Sequence, residues 1–128
     1  METEDTNPRV SVASCQANDL TCNSKGLFLW CVPIAALIVG GSWPKTRAWL
    51  WTPALLVMGI GCLANAARCG RVHCYLTGPL FLLAAVYVAL SEFHVAPMNP
   101  NALLATVVGL TILAYVLEFP LGKYRKRV

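Results

Sequence analysis

Four long apolar runs, each free of lysine and arginine, dominate this chain of 128 residues. They extend from about Gly26 to Gly41, Trp49 to Ala67, Tyr75 to Leu90 and Ala102 to Phe119, with short links between them. Crossing the hydrocarbon core of a bilayer as a helix takes roughly 20 apolar residues, with about 17 as the lower end. The second and fourth runs meet that length. The first and third extend into the interface or draw a local thinning of the bilayer. Charged residues make up only 12% of the chain, about half the share in soluble domains, so a soluble core would lack cover. The expected fold class is all-α, an integral membrane bundle of four transmembrane helices. Short links make neighbouring helices antiparallel. Residues 1–25 read as a mobile polar tail, 26–120 as the transmembrane domain and 121–128 as a basic tail.

The positive charge sets an expected orientation. Arg9 and Lys25 precede the first run, Arg68 and Arg71 sit between the second and third, and Lys123, Arg125, Lys126 and Arg127 follow the fourth. The opposite side carries only Lys45 and Arg47. The positive-inside rule then places both termini in the cytoplasm of a multi-pass inner-membrane protein. The chain begins with acidic residues (Glu2, Glu4, Asp5), unlike the basic start of a secretory signal, so the first run is expected to stay as an anchor. Trp43, Trp49 and Trp51 read as interfacial anchors on the outer side. The bilayer is the one partner the composition demands. A homo-oligomer or a membrane partner stays open, and no basic stripe with interleaved aromatics points to nucleic acid.

With that orientation, all six cysteines fall on the cytoplasmic half. Cys15 and Cys22 lie in the tail, Cys69 and Cys74 at the loop, and Cys31 and Cys62 a short way into the first two spans. The cytoplasm keeps thiols reduced, so they are expected to be metal ligands, redox groups or small apolar residues rather than a disulfide framework. The densest group is Arg68-Cys69-Gly70-Arg71-Val72-His73-Cys74. Its guanidinium groups favour thiolates, which are both nucleophiles and metal ligands. Gly70 allows a sharp turn that would bring Cys69 and Cys74 together. The Cys-x4-Cys spacing is no common zinc pattern, and a positive-inside loop that happens to carry thiols explains the same residues.

Met58, Cys62, Asn65 and Cys69 recur at helical spacing and share one face of the second span. Thioether and thiolate suit a soft ion such as Cu(I), and by the same logic Hg(II). A bundle-facing stripe with Asn65 bonding across helices accounts for them equally. Glu118 stands near the cytoplasmic end of the fourth run, where it would pair with Arg68 or Arg71 or accept a proton. Glu92, His94 and Met98 in the outer loop form a loose candidate entry site for a cation. Hydrolase, nucleotide-binding and zinc-protease signatures are absent from the sequence, as is Cys-x-x-Cys. His73 and His94 would lie on opposite faces of the membrane, which argues against a two-histidine haem site.

Cys31 in the first span, and Cys69 with Cys74 at the loop, resemble the plan of small bacterial mercuric-ion transport proteins of the inner membrane. Those carry two adjacent cysteines in the first helix, whereas Cys31 stands alone. The string Cys-Gly-Arg-Val-His-Cys-Tyr-Leu-Thr-Gly-Pro is also similar to one in uncharacterised bacterial four-helix membrane proteins. The one-sided gradient of thiols, together with the first resemblance, leads to an expected function: transport of a soft heavy-metal ion, mercury ahead of copper, handed as substrate to Cys31 and Cys62, then to Cys69, Cys74 and His73, with Met58 as a further ligand. Cys15 and Cys22 would accept it next, and no permanently bound cofactor is expected. Two other readings stand beside it. One is a thiol-redox protein cycling Cys69 and Cys74; the other is a non-catalytic membrane subunit.

Overall fold

The computed structural model describes residues 24–95 and 97–122. Cys15, Cys22 and the basic C-terminal cluster lie outside these residues. Four helices follow one another: α1 (Ser24–Ser42), α2 (Arg47–Cys69), α3 (Val72–Glu92) and α4 (Pro100–Leu121), with a single 3-10 turn at Pro44–Thr46 before α2. Each is long and apolar enough to cross a membrane. At 1.5 Å per residue, the 23 residues of α2 reach about 35 Å, enough for a hydrocarbon core about 30 Å thick. The chain is therefore a multi-pass membrane protein with a four-helix architecture.

Every helix starts earlier than the apolar runs alone indicate. Residues just before the runs, Ser24, Arg47, Val72-His73 and Pro100-Asn101, are drawn into the first turns. In consequence Pro33, Pro53 and Pro79 stand inside the helices rather than in their first turns. Membrane helices tolerate such prolines because neighbouring groups re-satisfy the freed backbone. At its N-terminus α4 carries Pro100 next to Asn99, whose side chain accepts from the Ala102 N–H at 3.2 Å. This is the ordinary cap for orphan amides.

The helices pack in chain order, α1 on α2, α2 on α3, and α3 on α4, with the α2–α3 contact the most extensive. Small residues allow this. A Cβ on Gly59 would lie 2.9 Å from the Leu82 side chain and 3.1 Å from the Gly78 carbonyl oxygen, and one on Gly78 would lie 2.8 Å from Leu63. Close backbone approach of this kind is how helices associate in lipid, where no hydrophobic force drives them together. The flanking helices bury little. In α1 only Gly26, Pro33 and Gly40 are buried, and in α4 only Val107 and Ala114. Phe28, Ile38, Ile60, Leu83 and Ile112 are among the large apolar side chains left on the outside, as lipid requires.

Trp51 departs from its expected interfacial role. It is buried, and its Nε1–H donates to the Leu37 carbonyl of α1 at 2.8 Å. Its ring lies so close to Gly40 that a Cβ there would stand 2.6 Å from it. Arg47 stacks its guanidinium 5.5 Å from the Trp51 ring centroid and donates to the Gly40 and Gly41 carbonyls at 3.4 and 3.3 Å. It thereby satisfies orphan acceptors at the end of α1. Trp43 and Trp49 do lie outside the core.

Candidate thiol centre

Two residues, Gly70 and Arg71, connect α2 to α3. Gly70 is left-handed (φ 65°, ψ 30°) and its N–H returns to the Ala66 carbonyl at 2.8 Å. A side chain there would meet the steric cost of the left-handed region, which glycine avoids. The tight reversal lays the first turn of α3 against the last turns of α2. Helical spacing then turns Cys62 and Asn65 of α2 toward His73, Cys74 and Thr77 of α3. Among the described residues these five are the most enclosed polar or thiol side chains, each at 1% exposure or less.

The Cys62 and Cys74 thiols face each other across α2 and α3, close enough to interact. Asn65 Nδ2 donates to Cys74 Sγ at 3.7 Å, and Cys74 Sγ lies 3.3 Å from His73 Nε2. On its other side the imidazole meets α4: Nδ1 is 2.5 Å from Glu118 Oε1, and the His73 backbone N–H reaches the same oxygen at 3.4 Å. A carboxylate only accepts, so Nδ1 carries the proton and Nε2 presents its lone pair to Cys74. Cys74 Sγ therefore stands between Cys62 and His73 Nε2, and Glu118 holds the far side of the imidazole. Thr77 Oγ1 lies 2.9 Å from the His73 carbonyl and 3.5 Å from Cys62 Sγ; its single proton goes to the shorter contact.

Tyr115 of α4 closes the far face, stacked on His73 with ring centroids 4.2 Å apart and planes 24° from parallel. Arg71 Nε stands 3.7 Å from Glu118 Oε1, beyond hydrogen-bond range but close enough for charge attraction. Both side chains are largely shielded, at 9% and 12% exposure. Glu118 thus faces a cation and an imidazole, which offsets the cost of a carboxylate at membrane depth.

A thiol next to an imidazole, with that imidazole oriented by a carboxylate, is the usual arrangement for raising thiolate nucleophilicity. Its near neighbour is a second thiol, so the chemistry closest to hand is formation of a sulfur–sulfur bond. Among the described residues, no group of three or more His, Cys, Asp and Glu side chains is placed to hold a metal ion. The two sulfur atoms remain a candidate pair for a two-coordinate soft ion.

The other sequence-predicted residues fall around this centre. Met58 is buried one turn from Cys62, in the same apolar cluster. Cys69, the last residue of α2, is half-buried, and Arg68 beside it is exposed. Cys31 is exposed on α1, outside the α2–α3 layer. None of these described cysteines is in a disulfide. At the opposite end Glu92 and His94 are exposed, while Met98 is half-buried with its sulfur 3.3 Å from Ser91 Oγ, whose proton goes to the Val88 carbonyl at 2.6 Å.

Thr77 and Tyr115 were not anticipated from sequence. Each lies three residues from a residue that was, Cys74 and Glu118 respectively, and that spacing shares a helix face. Comparison with protein families, curated proteins and solved structures finds no match for this chain.

Proposed function

We propose that this four-helix membrane protein is a thiol–disulfide redox protein with Cys62 and Cys74 as its couple. The observation that carries the reading is the direct thiol–thiol contact between α2 and α3, with His73 Nε2 on the Cys74 sulfur. Oxidation breaks two S–H bonds, forms one S–S bond and releases two electrons and two protons. His73 takes the Cys74 proton, with Glu118 holding the ring so that Nε2 stays aimed at sulfur. Burial keeps water and soluble thiols away from the couple. The electron acceptor is therefore a two-electron oxidant soluble in lipid. The lysine and arginine distribution supports both termini, and hence this centre, lying toward the cytoplasm of an inner membrane. Anaerobic and oxidised preparations, alkylated and digested, test the reading by mass spectrometry. A Cys62–Cys74 linkage that forms and reverses supports it; thiols that alkylate equally under both conditions remove it.

A second reading takes the same pair as a site for a soft metal ion in transit, mercury ahead of copper. What favours it is the donor set, two enclosed sulfur atoms, which suits a linear sulfur–metal–sulfur bridge and disfavours hard ions. Metal accumulation in cells separates the two. Loss of accumulation in a Cys62→Ser/Cys74→Ser variant, with protein levels unchanged, supports transport; equal accumulation sinks it.

A further inference from the structure

Between α1 and α2 runs an apolar groove of about 500 Å³, bordered by Pro33 and Ala36 of α1 and by Pro53, Ala54 and Val57 of α2. Alanine and proline raise low ridges on a helix, so two packed helices leave a furrow where such residues face each other. Lys25, in the first turn of α1, belongs to the same lining and is its one charged residue. From Lys25 to Ala36 the helix rises about 16 Å. One leaflet of hydrocarbon is about 15 Å deep, half of a core about 30 Å thick. The groove therefore joins an ammonium at the membrane face to an apolar channel one leaflet long.

No carboxylate among the described residues answers that ammonium. Two carboxylates are described. Glu92 ends α3 at the opposite end of the bundle, and Glu118 is held by His73 and Arg71. The first turn of α1 carries no acidic residue either, so the positive end of its dipole adds to the charge of Lys25.

We propose that this groove is a binding site for an anionic phospholipid, with one acyl chain lying between α1 and α2 and the phosphodiester resting on the Lys25 ammonium. The occupant must carry negative charge at the interface and nothing polar below it, because a charge deeper in the groove is costly to desolvate. Its apolar part must be about one leaflet long. An anionic phospholipid has these parts in this order. A zwitterionic one brings the same chain, but its own amine competes with Lys25 for the phosphate. A second copy of this chain fits less well, since the described carboxylate on that membrane face, Glu118, is already engaged. One lysine facing anionic lipid corresponds to a preference of about fivefold.

The test places the full-length protein in nanodiscs of equimolar phosphatidylglycerol and phosphatidylcholine and counts the lipids it retains by native mass spectrometry. Wild type should hold phosphatidylglycerol over phosphatidylcholine by about fivefold. Lys25→Met keeps most of the stem and removes the charge, bringing the ratio to parity, whereas Lys25→Arg preserves it. Phosphatidylglycerol with a diazirine in its acyl chain should mark peptides of α1 and α2 around Val32 and Val57. Val57→Trp fills the groove from an exposed position and removes that label, with circular dichroism confirming that the helices remain. Parity in the wild type, or a preference that survives Lys25→Met, means unselective surrounding lipid and overturns the site. Label confined to other helices overturns it too. Label that enters the groove only after removal of residues 1–20 assigns the groove to the start of the chain itself. Label found only on the monomers of a dimeric population assigns it to a second copy. Either result sinks the proposal.

Discussion

His73 of α3 and Glu118 of α4 join two helices through a single carboxylate oxygen, which receives both the ring Nδ1–H at 2.5 Å and, at 3.4 Å, the His73 backbone N–H. The same oxygen stands 3.7 Å from Arg71 Nε. One atom thus fixes the tautomer of the imidazole, its tilt and the approach of α4 to the thiol end of the bundle. Removing the charge but not the shape separates these roles. Glu118→Gln should still hold the helix in place, while disulfide formation between Cys62 and Cys74 with a lipid-soluble oxidant slows by at least about tenfold, within the usual range for losing an assisting acid–base group. Quenched-flow alkylation followed by mass spectrometry measures the rate. An unchanged rate would mean that the imidazole does not act on Cys74.

The pairing of the thiols is itself open to a direct check. With mild oxidation, Cys62→Ser or Cys74→Ser alone should eliminate the intramolecular bond, whereas Cys69→Ser should leave it forming at the wild-type rate. Tryptic cleavage at Arg68 and Arg71 separates the two sulfur-bearing segments, so the linked peptide is easily recognised. A linkage that survives Cys62→Ser would assign the couple to a different sulfur.

Helix contact through glycine gives a stability prediction. A valine at Gly59 would press against Leu82 and the Gly78 carbonyl oxygen, 2.9 and 3.1 Å from the new Cβ. Leu82 can yield by rotation, but the opposing backbone cannot. The expected loss is about 1–3 kcal/mol, seen as a lower thermal midpoint in detergent. A midpoint at or above that of the wild type would contradict the packing described for α2 and α3.

At the other end of the bundle, Trp51→Phe removes the 2.8 Å hydrogen bond to the Leu37 carbonyl while keeping most of the ring. The loss should be about 1 kcal/mol, with the rate of Cys62–Cys74 oxidation unaffected because the two sites lie toward opposite ends of α2. A large change in that rate would reveal coupling along the helix.

Threading through the membrane is tested at Asn101, an exposed residue at the start of α4. In a cysteine-free background, Asn101→Cys should react with an impermeant maleimide from the periplasm of intact cells. Reaction only after lysis would invert the orientation drawn from the arginines and lysines.

Hydropathy made the four helices and their order legible, because lipid imposes its demand on every turn of a spanning segment. The face of α2 was legible as well, since Met58, Cys62 and Asn65 follow helical spacing and all three are buried. The partner of Cys62 was not. Sequence proximity favoured Cys69 with Cys74, five residues apart, whereas Cys62 and Cys74 are twelve apart and their meeting depends on how α3 registers against α2. Glu118 was recognised as a charge needing company, but its imidazole neighbour lies 45 positions away, beyond what local spacing can reveal. The core role of Trp51 was hidden for a different reason. An indole near a helix end suits a headgroup interface, and only the proximity of Gly40 shows that a neighbouring helix has left room for it.

The two-residue link at Gly70–Arg71 carries a mechanical consequence. Cys62 lies two turns before it and Cys74 three residues after it, so the sulfur atoms belong to one short hairpin. The hairpin closes beside the sulfur atoms, at the end of α2 and the start of α3, and opens at the far mouth, where α2 begins and α3 ends. The pairing of the two sulfur atoms is thereby set within α2 and α3 alone, with neither α1 nor α4 needed to bring them together.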